Sequence, residues 1–324
     1  MAFTVDSLTS LTQNKIVPRL ADCAFLGSPL AYWLKDNHSV KLDGGLAVRF
    51  PIIKAQLTGD WYDATDTATL ATADPFSTAS FNWKWLRVPF VLAETDIDKN
   101  DGVDGILNLI EATAKTAELT IIDLLSDGLH GTNASNSKQM DGLQNMFAAS
   151  GTAYGSLTDT DFTGDASWLT QIHTMVNTGL PSTLTAFDMR VMRGKATKGS
   201  ARPNLALCNF PTYDKIWALA QDDQRFGMEK MAKLGFEHIV FEDMAICPDE
   251  HAPGTGFGTA DSWLMMLNTD YVSFVIHRNK AFVSRVYAPI PQQELYIGKV
   301  LLGCNLTTNN RRMHAVTKVI NPSL

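Results

Sequence analysis

The sequence predicts an α+β fold on three observations. A long amphipathic helix falls at residues 101–130. Ahead of it, residues 46–96 carry strand alternation on both sides of a long polar tip. Behind it, helix and strand patterns mix through 140–285, and strands return over 286–324.

The helix is the strongest local signal. Val103, Leu107, Ile110, Ala114, Ala117, Ile121 and Leu124 fall at alternating steps of three and four, which makes one apolar stripe. Asp101 or Asp104 supplies a cap and favourable charge at its start. Glu111 and Lys115 pair on the polar face, and Gly128 and Gly131 mark its end.

Residues 46–96 read as a long hairpin. Leu46, Val48, Phe50 and Ile52 alternate on the way out, and Phe81, Trp83 and Trp85 on the way back. The apolar set changes face beside Pro51 and again before Pro89, as at a bend or bulge on an edge strand. The stretch between the strands, Thr58–Thr78, is far longer than a hairpin turn requires. An isolated hairpin of this length cannot bury both faces and needs a partner surface.

Residues 1–45 have the character of an arm, with short helical patches at Ser7–Thr12 and Leu30–Asp36 and a stop at Gly44-Gly45. Helices are expected at Ala166–Thr178, Ser182–Arg193 and Pro211–Gln221. Strands are expected at Leu205–Cys208, Glu237–Ile246, Trp263–Leu267, Tyr271–Ile276, Glu294–Leu301 and Met313–Ile320.

The 324 residues carry a net charge of −7, from 27 basic and 34 acidic side chains. That balance argues against tight phosphate-backbone binding, which depends on Lys and Arg releasing counterions. Cys23, Cys208, Cys247 and Cys304 are widely spread with no C-x-x-C pair. Neither a disulfide framework nor a zinc cluster is indicated, and reduced thiols fit. No apolar run is long enough to span a bilayer, and the first twenty residues lack a basic-then-apolar signal pattern.

Candidate chemistry is thin. Asp96–Gly102 resembles a calcium loop, but Asp101 holds the sixth position, where glycine belongs, and Leu107 the twelfth, where glutamate belongs. A solvated loop ahead of the helix is the better reading. Gly254-Thr255-Gly256-Phe257-Gly258 lacks the third glycine of a dinucleotide fingerprint and reads as a loop. Cys247, Asp249, Glu250 and His251 have no second ligand cluster. His173, on an expected helix face, reads as a satisfied histidine. No Gly-x-Ser-x-Gly nucleophile turn occurs. No catalytic residue, cofactor or metal site is therefore assigned, and the chain is not expected to be an enzyme. Trp61 and Tyr62 in the hairpin tip differ: large aromatics on an exposed loop ask for a cover.

The order of elements resembles the Hong Kong 97-type fold of tailed-bacteriophage coat proteins. Several stretches are similar to one branch of that family in the expected order. They are Gly59-Asp60-Trp61-Tyr62-Asp63, Lys138–Leu143, Arg202–Leu205, Leu234–Asp243, Leu267-Asn268-Thr269-Asp270-Tyr271 and Gly303–Arg312. The resemblance runs from about residue 15 to the C-terminus.

The resemblance implies an N-terminal arm at 1–45 and an extended hairpin loop at 46–96. It implies a peripheral domain with a spine helix, built from 97–139 and 286–324, and an axial α/β domain at 140–285. It implies a major capsid protein that assembles into pentamers and hexamers of an icosahedral head in the host cytoplasm, found in the virion around double-stranded DNA. Subunit contacts are expected from Trp61, Tyr62, Asp63, Phe76, Trp83 and Trp85. The partners implied are the chain itself, scaffolding and portal proteins, decoration proteins in some members, and packaged DNA touched weakly on the inner face, with no membrane. A separate scaffolding protein, or none, is expected. Subunit crosslinking through Lys and Asn side chains is assigned to neither Lys84 nor Asn310. An encapsulin shell is the alternative with the same fold, and a soluble metabolic enzyme is the remote one.

Overall fold

The computed structural model describes residues 28–57, 59–67, 74–93, 103–134, 136–162, 167–173, 184–220, 238–254, 261–287 and 295–320. The first half holds α1 (Pro29–His38), β1 (Ser39–Leu42), β2 (Ala47–Ile53), β3 (Phe76–Asn82), β4 (Lys84–Ala93) and α2 (Val103–His130). Next come β5 (Gln171–His173), α3 (Ala186–Ala196), β6 (Leu205–Cys208), α4 (Phe210–Leu219), β7 (Ile239–Phe241) and β8 (Met244–Pro248). The chain ends through β9 (Ser262–Leu267), β10 (Val272–His277), β11 (Val283–Tyr287), β12 (Leu295–Thr308) and β13 (Ala315–Ile320). They fall into two compact units, each built from separated segments.

The first unit takes residues 1–45, 83–143 and 273–306. Its sheet runs β1-β10-β12-β11, with β4 also on β12. Pairing of β4 with β12 is antiparallel over ten residues, from Leu295 opposite Ala93 to Cys304 opposite Lys84. Two glycines of β12 lie opposite aromatics: Gly298 faces Phe90, and Gly303 faces Trp85. In both cases the ring fills the space a Cβ would need. The cross-strand ring thus covers a position with no side chain of its own.

Helix α2 has 28 residues, about 42 Å at the usual rise. Among its described side chains Ala117, Ile121, Leu125 and Leu129 are buried, and Leu124 is 42% exposed. The stripe therefore advances in steps of four from Ala117, rather than reaching Leu124 as the sequence pattern predicted. Four-residue rows are inclined to the helix axis, so the buried face winds slowly around the helix. Gly142 sits against the backbone carbonyls of Gly128, Leu129 and Gly131, where no Cβ fits, so the loop can close over the helix end.

The second unit takes residues 46–82, 144–272 and 307–324. Its six-stranded sheet runs β5-β13-β9-β6-β8-β7. Central strands β6 (LALC) and β8 (MAICP) are buried throughout, so they read as continuous apolar runs and not as alternation. Leu184, Met189, Met192, Tyr213 and Ile216 from the α3 and α4 regions share one core with Met244, Leu264, Met266 and Ile320 from the sheet. Helix α3 starts in a capping box, with Thr185 and Asp188 satisfying each other's backbone N–H groups. The β7–β8 turn puts Glu242 and Asp243 at φ 46° and 67°, the left-handed pair a tight hairpin needs. Arg193 holds Glu242 at 2.9 Å.

A buried polar corner fixes the end of this unit. Arg311 is 1% exposed; it donates from Nε to the Met146 carbonyl at 2.9 Å and lies over the Tyr154 ring. Nearby, the Asn268 N–H donates to His314 Nδ1 at 3.2 Å, while His314 Nε2 meets Thr308 Oγ1 at 3.1 Å. The Thr308 hydroxyl in turn donates to the Tyr271 carbonyl at 2.7 Å. These contacts select the neutral Nε2–H tautomer.

Several sequence expectations need correction. The returning hairpin strand was expected to continue through Trp83 and Trp85. Instead β2 pairs only with β3, from Ala47 opposite Asn82 to Ile53 opposite Phe76. The strand run breaks at Trp83, and Lys84–Ala93 pairs with β12. Aromatic alternation cannot say which partner a strand takes. Of Met313–Ile320, expected with the peripheral strands, Ala315–Ile320 forms β13 against β9 and β5. Within the expected helix 166–178, Gln171–His173 is a strand parallel to β13, where tertiary pairing overrides a weak helical pattern. The calcium-like loop and patch Ser7–Thr12 lie outside the described residues, as does most of the Gly254–Gly258 loop.

Candidate functional site

The hairpin β2–β3 has one face turned inward. Val48, Ala79 and Phe81 are buried, and Phe81 meets the Tyr154 ring edge-on at 5.2 Å. Gly155 lies directly under the Phe81 ring at φ 62°, and its carbonyl accepts from the Ser80 N–H at 2.8 Å. A side chain at Gly155 would meet the ring at 2.7 Å, so glycine is required both for space and for φ. The outer end is different: the cross-strand partners Ile53 and Phe76 are 63% and 64% exposed.

Beyond them the two large aromatics of the tip stand in solvent. Trp61 is 102% exposed and Tyr62 82%. Asp63 and Asp66 shape the turn that carries them. The Asp63 N–H donates to Asp66 Oδ2 at 2.8 Å, the Asp66 N–H to the Asp63 carbonyl at 2.9 Å, and the Ala64 N–H to Asp63 Oδ1 at 2.7 Å. Asp63 thus organises the loop that presents two aromatics to solvent.

Trp83 and Trp85 lie in the other unit. Their rings stack at 6.3 Å, and the His277 ring packs against both. Trp83 is buried, with its indole N–H donating to the Gly45 carbonyl at 3.0 Å. Trp85 is half exposed, with Lys280 Nζ 4.4 Å from its ring centre. The six expected contact residues therefore divide. Trp61, Tyr62, Asp63 and Phe76 sit in and beside the tip, whereas Trp83 packs inside its own unit with Trp85 beside it. His277 and Lys280, which complete that cluster, had no sequence signal: His277 ends β10, Lys280 lies just after it, and they meet the tryptophans only through strand pairing.

The second unit also holds an open cleft of about 500 Å³. Ile52 and Ile53 line one side, and Lys198, Asn309, Asn310 and Arg312 another. Trp168, 1% exposed and stacked on Phe162 at 5.8 Å, lines it too. Asn309, Asn310 and Arg312, at the end of the Gly303–Arg312 stretch, thus border a cleft that no local pattern reveals.

The remaining candidates are structural. Burial holds the Cys247 and Cys304 thiols up at about 12, and raises Cys208 further, so all three stay protonated. Among the described residues, the Cys247–His251 run does not bring three ligand atoms together. His173 Nε2 bonds Asp188 Oδ1 at 3.0 Å, and Lys195 Nζ lies 3.4 Å from its Nδ1. Burial raises the Asp188 carboxyl, but hydrogen bonds from Thr185 and His173 outweigh it and hold the group below its usual value. The Thr185 hydroxyl is committed to Asp188 as part of the helix cap, so the cluster orients no nucleophile. Lys84 Nζ donates to the Ser137 carbonyl at 2.6 Å, with Asp141 at 4.0 Å.

Neither a protein-family model nor a curated protein sequence matches the chain. Solved structures do. The capsid asymmetric unit of cyanophage A-1(L) superposes with a TM-score of 0.68 at 14% identity, covering 90% of this chain and 93% of that one. The capsid of the native GTA particle gives 0.61 at 10% identity, covering 88% and 89%. The holo-SrpI encapsulin complex from Synechococcus elongatus PCC 7942 gives 0.58 at 12%, covering 100% and 98%. Likeness of this extent at such low identity is a likeness of fold: the chain has the Hong Kong 97-type capsid fold.

Proposed function

We propose that the chain is the major capsid protein of a tailed bacteriophage, self-assembling into the pentamers and hexamers of an icosahedral head around double-stranded DNA. The observation that carries this is the near end-to-end fold match to phage capsid subunits, at a TM-score of 0.68 for the cyanophage A-1(L) capsid. The exposed tip supports it, because two fully solvated aromatics on a shaped turn suit a surface that another subunit covers. In this reading residues 1–45 are an arm, 46–96 an extended loop over a neighbour, 97–139 with 286–324 a peripheral domain and 140–285 an axial domain. Trp61, Tyr62, Asp63, Phe76 and Trp85 are subunit contacts, and Trp83 supports Trp85 from beneath. Scaffolding, portal and decoration proteins are the partners of such a shell. Its place is the virion, after assembly in the host cytoplasm, and its work is structural and not catalytic.

One observation favours a second reading: the encapsulin match covers the whole of this chain, though at the lower TM-score of 0.58. Both readings require large closed particles. The test is sedimentation and electron microscopy of the purified chain, followed by analysis of the contents of particles taken from producing cells. Isometric particles holding DNA support the capsid reading, whereas protein cargo supports the encapsulin one. Chains that stay monomeric or dimeric under all assembly conditions sink both. Replacing Asp60–Asp74 with a two-residue turn is expected to leave far-UV circular dichroism and subunit solubility unchanged while abolishing or weakening particle formation. Shells of normal stability from that variant would remove the hairpin from the interface.

A further inference from the structure

The open cleft in the second unit and the hairpin tip are complementary in charge and in chemistry. Among the described residues the cleft is bordered by Lys198 and Arg312 and by no carboxylate, in a chain whose net charge is −7. The Lys198 ammonium has no hydrogen-bond or ion-pair partner among the described residues. Asn309 and Asn310 add amide groups, and Trp168 and Ile52 an apolar lining. The tip supplies the opposite set: Asp60, Asp63 and Asp66 with no Lys or Arg between Gly59 and Thr67, and two exposed aromatics between the first two. Its turn is already closed by the Asp63 and Asp66 hydrogen bonds, so docking would order little additional backbone. The cleft's volume lies within the range of sites that enclose a drug-sized ligand, and suits one or two aromatic side chains.

We propose that the tip Gly59–Asp66 of one copy docks into this cleft on a neighbouring copy, with Trp61 or Tyr62 against the apolar lining and Asp60 facing Lys198. This rests on the shell reading above and adds to it the receiving surface. Every copy carries both a tip and a cleft, so the contact is heterologous and propagates head to tail until a ring closes. The apolar aromatic supplies burial, and the charges set register and exclude wrong partners.

Two chains with one added cysteine each test this, both in a Cys23→Ser background: one with Ala64→Cys in the tip, one with Asn309→Cys in the cleft. The buried native thiols Cys208, Cys247 and Cys304 are protonated and stay out of mild oxidation. The two chains are co-assembled, particles are isolated and oxidised, and the product is read on a non-reducing gel. A reducible dimer that forms in the mixture, and in neither chain alone, is the expected result. It can arise only between copies. Particles of normal yield without that dimer overturn the docking proposal and leave the shell reading standing. Failure of the unmodified chain to form particles overturns both. As a second arm, Lys198→Glu and Asp60→Lys are each expected to raise the protein concentration needed for assembly by about tenfold, and together to restore it. Equal loss in the double variant, with thermal unfolding unchanged, counts against the pairing.

Discussion

At the scale of single residues, His314 shows how a polar group becomes part of a core. It is fully buried, its Nδ1 accepts from the Asn268 N–H, and Arg311 lies close by. Burial first, and the Arg311 charge second, depress it from 6.5 to about 3. A second proton on Nδ1 would point at the Asn268 N–H and break that contact. The sign follows directly. Between pH 6.5 and about 3 the unfolded chain binds a proton that the folded chain refuses, so stability falls as pH drops through that window. The full slope for one proton is about 1.4 kcal/mol per pH unit. Urea unfolding of wild type and His314→Gln across pH 7 to 4 should show a shallower pH dependence in the variant. Parallel curves would mean that His314 does not titrate on unfolding.

At the scale of elements, the β4–β12 ladder shows why Gly298 and Gly303 belong inside a 14-residue strand. Each lies opposite a large ring that occupies its missing side chain. Gly303→Val would force the Trp85 ring away from His277, and overpacking of this kind costs roughly 1–3 kcal/mol. The measurement is the denaturation midpoint of Gly303→Val alone and with Trp85→Ala. The second change should recover part of the loss, and additive losses would mean that ring and glycine are not coupled. The same ladder explains what the sequence concealed. Trp83 and Trp85 continue the alternation of Phe81, yet the chain changes sheets at Trp83. Alternation reports that one face is buried; it is silent on which strand lies alongside. The helix was legible because its period is local. The tip was legible because Trp61 and Tyr62 stand in a polar stretch too long for a turn. The cleft was not, since Ile52, Trp168, Lys198 and Arg312 come from four distant parts of the chain.

At the scale of the whole molecule, net charge sets the relation to a polyanion. With −7 per chain, binding of duplex DNA should be weak and non-specific. Fluorescence anisotropy of a labelled duplex at about 0.15 M salt should show no sub-micromolar binding, in line with the weak non-specific range. A sub-micromolar dissociation constant with a steep salt slope would reveal a basic inner face that the total charge hides.

The sequence alone determined the mixed α+β class, the long helix, a strand at Leu205–Cys208, and a hairpin with a long polar tip. Each depends on the period, composition or length of one contiguous stretch. Tertiary structure decided the rest. It assigned Lys84–Ala93 to β12 and 315–320 to β9, buried Trp83 against His277, and assembled a cationic cleft from residues up to 260 positions apart, from Ile52 to Arg312. Such pairings are selected by the burial of several distant segments at once, and no local pattern carries that information.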